Sequence, residues 1–203
     1  MQEDNKLPEE PMTDTPVPDT LDGGNNEKKK QEKTDALDWV QCIVTALLVC
    51  VLLFVFVGRT VGVVGHSMLP TLNDGDRLII SDLFYTPKQG DIVVLRKESL
   101  TEEPIIKRVI AVGGQTVDID FDAGVVYVDG EALDEDYVNS PTNRELQFSG
   151  PVTVPEGCVF VLGDNRNASN DSRDERLGCV DERYIIGRVI IRLLPISDFG
   201  VVD

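Results

Sequence analysis

Hydrophobic and polar positions divide the chain into three regimes. Residues 1–35 carry ten acidic side chains and five lysines among proline, threonine and asparagine, with almost nothing apolar to bury. That composition predicts a disordered tail. From Trp39 to Val57 the chain reads WVQCIVTALLVCVLLFVFV, nineteen residues without a charge, in which only Gln41 and Thr45 are polar. An uncharged run of this length crosses a bilayer as a helix, so 36–58 is predicted to be a transmembrane segment. A cleaved signal peptide would have a shorter apolar core and an A-x-A-like site after Val57. A core helix apolar on all sides would need a larger body around it. Lys28, Lys29, Lys30 and Lys33 precede the run and only Arg59 follows it closely. This bias places the tail in the cytoplasm and residues 59–203 outside.

After Val57 helical periodicity disappears. Short β-rich runs punctuated by Gly, Pro and Asn/Asp turns predict strands at Thr60–Val64, Arg77–Ser81, Asp91–Arg96, Ile105–Val112, Thr116–Asp120, Val125–Val128, Val159–Leu162 and Tyr184–Arg192. Asp129-Gly130 between two short alternating runs predicts a tight hairpin. The expected class is mainly β, one domain behind one N-terminal transmembrane α-helix.

Composition then narrows the function. The 203 residues carry 19 basic and 36 acidic side chains, a net charge of -17, which repels phosphate backbones and excludes nucleic acid as a partner. His66 is the sole histidine, so a histidine metal cluster is excluded. Cys42 and Cys50 fall in the apolar run, while Cys158 and Cys179 form no CxxC pair. Free thiols are the expectation.

Three segments carry candidate chemistry. In Gly65-His66-Ser67-Met68-Leu69-Pro70-Thr71-Leu72, a strand end presents Ser67 between a permissive glycine and a stiffening proline. A nucleophilic serine needs a base. His66, adjacent to it, points to the opposite face of an extended segment and reads as a surface or structural residue. A lysine serves if burial lowers its pKa. Of the three lysines after the apolar run, Lys88 sits in a turn and Lys97 between Arg96 and Glu98, both expected to be solvated. Lys107, in Pro104-Ile105-Ile106-Lys107-Arg108-Val109-Ile110-Ala111-Val112, alternates onto one face with Ile105, Val109 and Ala111, and Arg108 onto the other with Ile106 and Ile110. A snorkelling or edge-strand lysine accounts for the same position on spacing alone. The third segment, Gly163-Asp164-Asn165-Arg166-Asn167-Ala168-Ser169-Asn170-Asp171-Ser172-Arg173, is rich in short polar side chains and suits an Asp/Arg ion-pair network or a structural turn. It fails the EF-hand spacing, because Arg166 and Asn170 stand where an oxygen ligand and a glycine belong. No metal or other cofactor is expected.

In this order, with Gly90-Asp91-Ile92-Val93-Val94 between the first two, the segments resemble bacterial type I signal peptidase, a membrane-anchored Ser/Lys endopeptidase, over roughly Trp39 to Pro195. The single anchor and small insertion, about 115–155, resemble its compact, Gram-positive-like branch. The resemblance implies the β-domain shared with self-cleaving repressor proteases. It implies Ser67 as acylating nucleophile and main oxyanion donor through its N–H, and Lys107 as general base. Ser169 matches the residue that orients the lysine amine, and Asp171 and Arg173 the supporting ion pair. Gly65, Met68, Ile105 and Ile106 match the substrate cleft. Gly65 stands where some members carry a second oxyanion hydroxyl, and Gly113-Gly114-Gln115 departs from the common Gly-x-Pro-Gly-Asp turn.

The implied substrates are signal peptides of secreted preproteins, cut after small A-x-A-like residues, with membrane lipid and the secretion machinery as surroundings. A soluble repressor protease would carry a DNA-binding module and no span. An anchored binding domain would leave Ser67, Lys107 and the segment 163–173 unexplained together.

Overall fold

The computed structural model describes residues 38–51, 58–97 and 103–202. The predicted tail lies outside these residues, as do 36, 37 and 52–57 of the predicted span. Residues 38–51 form a helix with every side chain exposed, and among the described residues no helix is long and apolar enough to cross a membrane. The chain divides into two units after Val49.

Among the described residues the second unit forms twelve strands: β1 Arg59–Gly62, β2 Arg77–Ser81, β3 Ile92–Leu95, β4 Ile105–Val112, β5 Thr116–Asp120, β6 Val125–Val128, β7 Glu131–Ala132, β8 Val152–Thr153, β9 Cys158–Leu162, β10 Val180–Asp181, β11 Ile185–Leu194 and β12 Gly200–Val201. The larger sheet runs β1-β2-β11-β3-β4-β9-β10, with β12 on β11; a smaller one runs β7-β6-β5-β8. Every pairing among the described residues is antiparallel. The strands β2, β4, β5 and β6 coincide with the runs that alternation predicts. The two-residue strands β7, β8, β10 and β12 are too short to carry a period, and of these only β7 follows a predicted turn. In that turn Asp129 and Gly130 both have φ in the left-handed region, 53° and 82°, as a two-residue hairpin of primed type requires.

Register shifts bend the larger sheet. Along β4 and β9, Val109 pairs with Val161 but Ala111 with Phe160, leaving Ile110 as an extra residue. The shift corrects the predicted faces: Ala111 does not follow Val109, but joins Ile110, Phe160 and Leu162 in a cluster shared with Val117 and Val126 of the smaller sheet. A second cluster gathers Met68 and Leu72 with Leu78, Ile80, Val94 and Ile106, and a third gathers Val93, Leu95, Val109, Val161 and Leu177. The two residues before Lys107 serve different cores, Ile106 one and Ile105 another, which stiffens the strand at that point. Within the larger sheet, the connection after β1 and the connection after β9 position the candidate site.

Candidate active site

Residues 63–76 leave β1 and return to β2 as a loop pinned at both ends. Val63 donates its N–H to the Asp76 carbonyl at 2.9 Å, and Gly65 donates to Asp74 Oδ1 at 2.8 Å. Gly65 adopts φ of 89°, a region that a side chain at that position would strain. A turn follows, closed by the Leu72 N–H on the Met68 carbonyl at 2.9 Å. Met68 and Leu72 sink into the core, and Ser67, held between them and Gly65, stays half-buried at the surface. His66 is exposed, consistent with a surface residue.

Ser67 Oγ lies 2.8 Å from Lys107 Nζ, although 40 residues separate the two in sequence. Lys107 is 3% exposed and projects from the middle of β4, where the register sets it opposite Val93. Its amine also donates to the Ile106 carbonyl at 2.9 Å. Burial pulls the amine down to a pKa of about 8, while the charges of Asp171 and Asp164 act in the opposite direction. A neutral amine is thus accessible near physiological pH. The other two lysines differ: Lys88 is exposed, whereas Lys97 is not solvated as expected but half-buried, with its amine on the Leu177 carbonyl.

The pair opens onto a cleft of about 410 Å³, lined on one side by residues 61–65 with Ser67 and Met68, and on the other by residues 103–107. Gly65, Met68, Ile105 and Ile106, singled out as cleft residues by the resemblance, all border it. The Ser67 N–H donates to no acceptor among the described residues.

Behind the pair, residues 163–173 form the third segment. Asn165 donates its N–H to the Ser67 carbonyl and its side-chain amide to the His66 carbonyl, each at 3.0 Å. Gly163 is glycine for want of space: a Cβ there would lie 2.5 Å from the Ser67 carbonyl oxygen and closer still to Ser169 Oγ. Ser169 is buried, and its hydroxyl finds no hydrogen-bond partner among the described residues. The bond between Ser169 and the lysine amine that the resemblance implies is not formed here, because the amine is turned to Ser67 Oγ and the Ile106 carbonyl. Asp171 and Arg173 form a buried bidentate pair, with Nε to Oδ1 at 2.8 Å and Nη2 to Oδ2 at 2.9 Å, and Asp171 Oδ2 also accepts the Gly163 N–H.

Several residues to which the sequence assigns no individual role complete this layer. Arg108 grips Asp164 with two bonds, 2.9 and 2.8 Å, and its guanidinium lies 3.9 Å from the centroid of the Tyr137 ring. Arg166 does the same with Glu135, at 2.8 and 2.6 Å, and donates to the Gly163 carbonyl and the Thr142 hydroxyl. Thr71 Oγ1 donates to Asp164 Oδ2. Arg108 carried a readable signal: an arginine alternating with Ile106 and Ile110 on a central strand must meet a carboxylate. Glu135 carried none, since it sits in the acidic run Asp134-Glu135-Asp136 and its partner is 31 residues away. No group of three or more His, Cys, Asp or Glu among the described residues is arranged to hold a metal ion, and all four cysteines are free.

Residues 36–194 match the family model described as signal peptidase, peptidase S26. A probable signal peptidase I-1 of Synechocystis sp. (strain ATCC 27184 / PCC 6803 / Kazusa) is 39% identical over 171 residues, which cover 79% of this chain and 84% of that protein. A signal peptidase I of Leptolyngbya laminosa is 33% identical over 198 residues, 93% of this chain and 94% of that protein. A signal peptidase I T of Bacillus subtilis (strain 168) is 36% identical over 185 residues, 86% of this chain and 94% of that protein.

Proposed function

The chain belongs to the signal peptidase family, peptidase S26, and from that premise we propose that it removes N-terminal signal peptides from secreted preproteins through a Ser67/Lys107 dyad. It is a serine endopeptidase. The observation that carries the dyad is the 2.8 Å separation between Lys107 Nζ and Ser67 Oγ at the wall of the cleft, with Lys107 held in an apolar setting.

Neutral Lys107 accepts the Ser67 hydroxyl proton as Oγ attacks the scissile carbonyl. The new Oγ–C bond leaves an oxyanion, which the Ser67 N–H stabilises. Collapse breaks the C–N bond, and the Lys107 ammonium returns its proton to the leaving amine. Lys107 then takes a proton from the water that attacks the ester, and departure of Ser67 Oγ releases the acid. Asp171 and Arg173 brace residues 163–173 behind the pair, and Ser169 stands beside Gly163 to receive the lysine amine when it swings away from Ser67.

The substrate lies extended along residues 61–65, adding to the free edge of β1, with small side chains in pockets bordered by Gly65, Met68, Ile105 and Ile106. Pockets bounded by such close backbone and aliphatic side chains favour cleavage after A-x-A-like residues. The run Trp39–Val57 anchors the enzyme in the cell membrane, with residues 1–35 cytoplasmic and 59–203 outside, and residues 115–155 are an insertion between catalytic segments. The anchor raises the effective concentration of the cleft at the membrane surface, where signal peptides emerge and the secretion machinery delivers them.

Cleavage of a preprotein with an A-x-A site by the full chain in lipid vesicles tests the assignment. Ser67→Ala and Lys107→Ala should each lower kcat by at least ~10³-fold without loss of fold. Turnover within tenfold of wild type in either folded variant would eliminate the dyad.

A further inference from the structure

The reaction needs Ser67 and Lys107 at hydrogen-bond distance, yet they sit on separate segments whose apolar anchors are not directional. Met68 and Leu72 fix how deeply the Ser67 loop sinks into the core. Apolar burial is non-directional and does not by itself fix the lateral placement of a side chain. The Ser67–Lys107 bond cannot set its own geometry, because it is remade each time the proton moves. The Asn165 N–H on the Ser67 carbonyl, at 3.0 Å, ties the loop to residues 163–173; a directional side-chain link from the loop to the strand that bears the lysine is needed as well.

Thr71, four residues after Ser67, supplies one. Its hydroxyl donates to Asp164 Oδ2 at 2.5 Å. Asp164 is fully buried and takes two bonds from Arg108, the residue next to Lys107 on β4. The Thr71 carbonyl accepts from Arg192 Nη2 of β11 at 2.8 Å, so the residue is held from two directions. One buried carboxylate therefore joins the nucleophile loop to the strand that bears the lysine. A hydrogen bond to a charged, desolvated carboxylate is shorter and stronger than one between neutral groups.

We propose that Thr71 is a positioning residue for peptide cleavage: through Asp164 and Arg108 its hydroxyl locks the Ser67 loop laterally against β4 and so sets the Ser67–Lys107 separation. The proposal rests on the dyad reading above. Thr71 touches neither substrate nor the reacting atoms; its effect is on the fraction of bound substrate that meets a correctly placed nucleophile. Removing the hydroxyl therefore lowers kcat and leaves KM in place.

The test uses the full chain in lipid vesicles with a preprotein substrate, comparing Thr71→Val, which keeps shape and loses the hydroxyl, with Thr71→Ser, which keeps the hydroxyl. Thr71→Val should lower kcat by about tenfold to hundredfold, the worth of a hydrogen bond to a charged group, with KM within about twofold. Thr71→Ser should keep at least about half of the wild-type kcat. In an Asp164→Asn background the step from Thr71 to Val should shrink, because the two changes break one link. An unimpaired Thr71→Val, a loss appearing in KM, or a loss that Thr71→Ser shares and that tracks a fall in melting temperature would overturn the proposal. Ser67→Ala run alongside separates the two failures: retained turnover there removes the dyad and this inference with it, whereas an inert Ser67→Ala beside an unimpaired Thr71→Val removes the positioning role alone.

Discussion

Lys107 has two unlike sides. Towards the cleft it meets aliphatic side chains, and its amine donates to Ser67 Oγ and the Ile106 carbonyl. Behind it lie two buried arginine–carboxylate pairs, Arg108–Asp164 and Arg173–Asp171, and a half-buried one, Arg166–Glu135. The contrast explains how a lysine near two aspartates keeps a lowered pKa. Each carboxylate already has a bidentate guanidinium, so neither needs the lysine as its partner, and desolvation prevails over attraction in setting the amine near a pKa of 8. The polar layer holds the backbone in place, and the apolar side lowers the amine's pKa so that its neutral form comes within reach.

The boundary between the two sides is Gly163, and adding a methyl group there is the harshest way to break the arrangement. A Cβ would press on the Ser67 carbonyl and Ser169 Oγ, both backed by packed structure. Gly163→Ala should cut kcat by at least ~100-fold, the cost of displacing a catalytic group by about 1 Å. Steady-state rates on a preprotein substrate check this; loss of less than threefold would mean that the boundary yields.

The next test removes one arginine from the layer behind. Arg173→Met leaves the Asp171 charge buried without its partner, costing about 3–5 kcal/mol in stability by denaturant unfolding at neutral pH. It also sharpens the comparison through pH. Because only the neutral amine accepts the serine proton, wild-type kcat should rise with pH through a limb centred near 8. Asp171 favours the ammonium form, so an unneutralised Asp171 raises the lysine pKa and moves that limb to higher pH. A limb that stays fixed or moves down would show that the arginine does not shield the base.

The smallest effect belongs to His66, next to Ser67 in sequence and exposed in the structure. Replacing it by alanine leaves its backbone carbonyl, the acceptor of the Asn165 amide, intact. His66→Ala should keep kcat within about twofold, a surface substitution touching neither side. A rate drop of about a hundredfold or more in a folded variant would give His66 a part in the reaction.

Much of this was legible in the chain itself. Alternation located β2, β4, β5 and β6, the Asp129-Gly130 pair located a hairpin, and the scarcity of histidine directed attention to the lysines, of which Lys107 alone is flanked by aliphatic neighbours on its own face. These features are local, and local sequence encodes them through side-chain period and backbone preference. The faces beyond Val109, the burial of Lys97 and the pairing of Arg166 with Glu135 were not legible, since each depends on a bulge or on contacts between distant segments. The residue types and their order determined that this chain carries a serine, a lysine and an Asp/Arg segment in a β-domain. Only the tertiary structure decided that Arg108 and Arg173 satisfy the aspartates, leaving the Lys107 amine to face Ser67, because desolvation and charge pairing are set by which segments are packed together and not by any one of them.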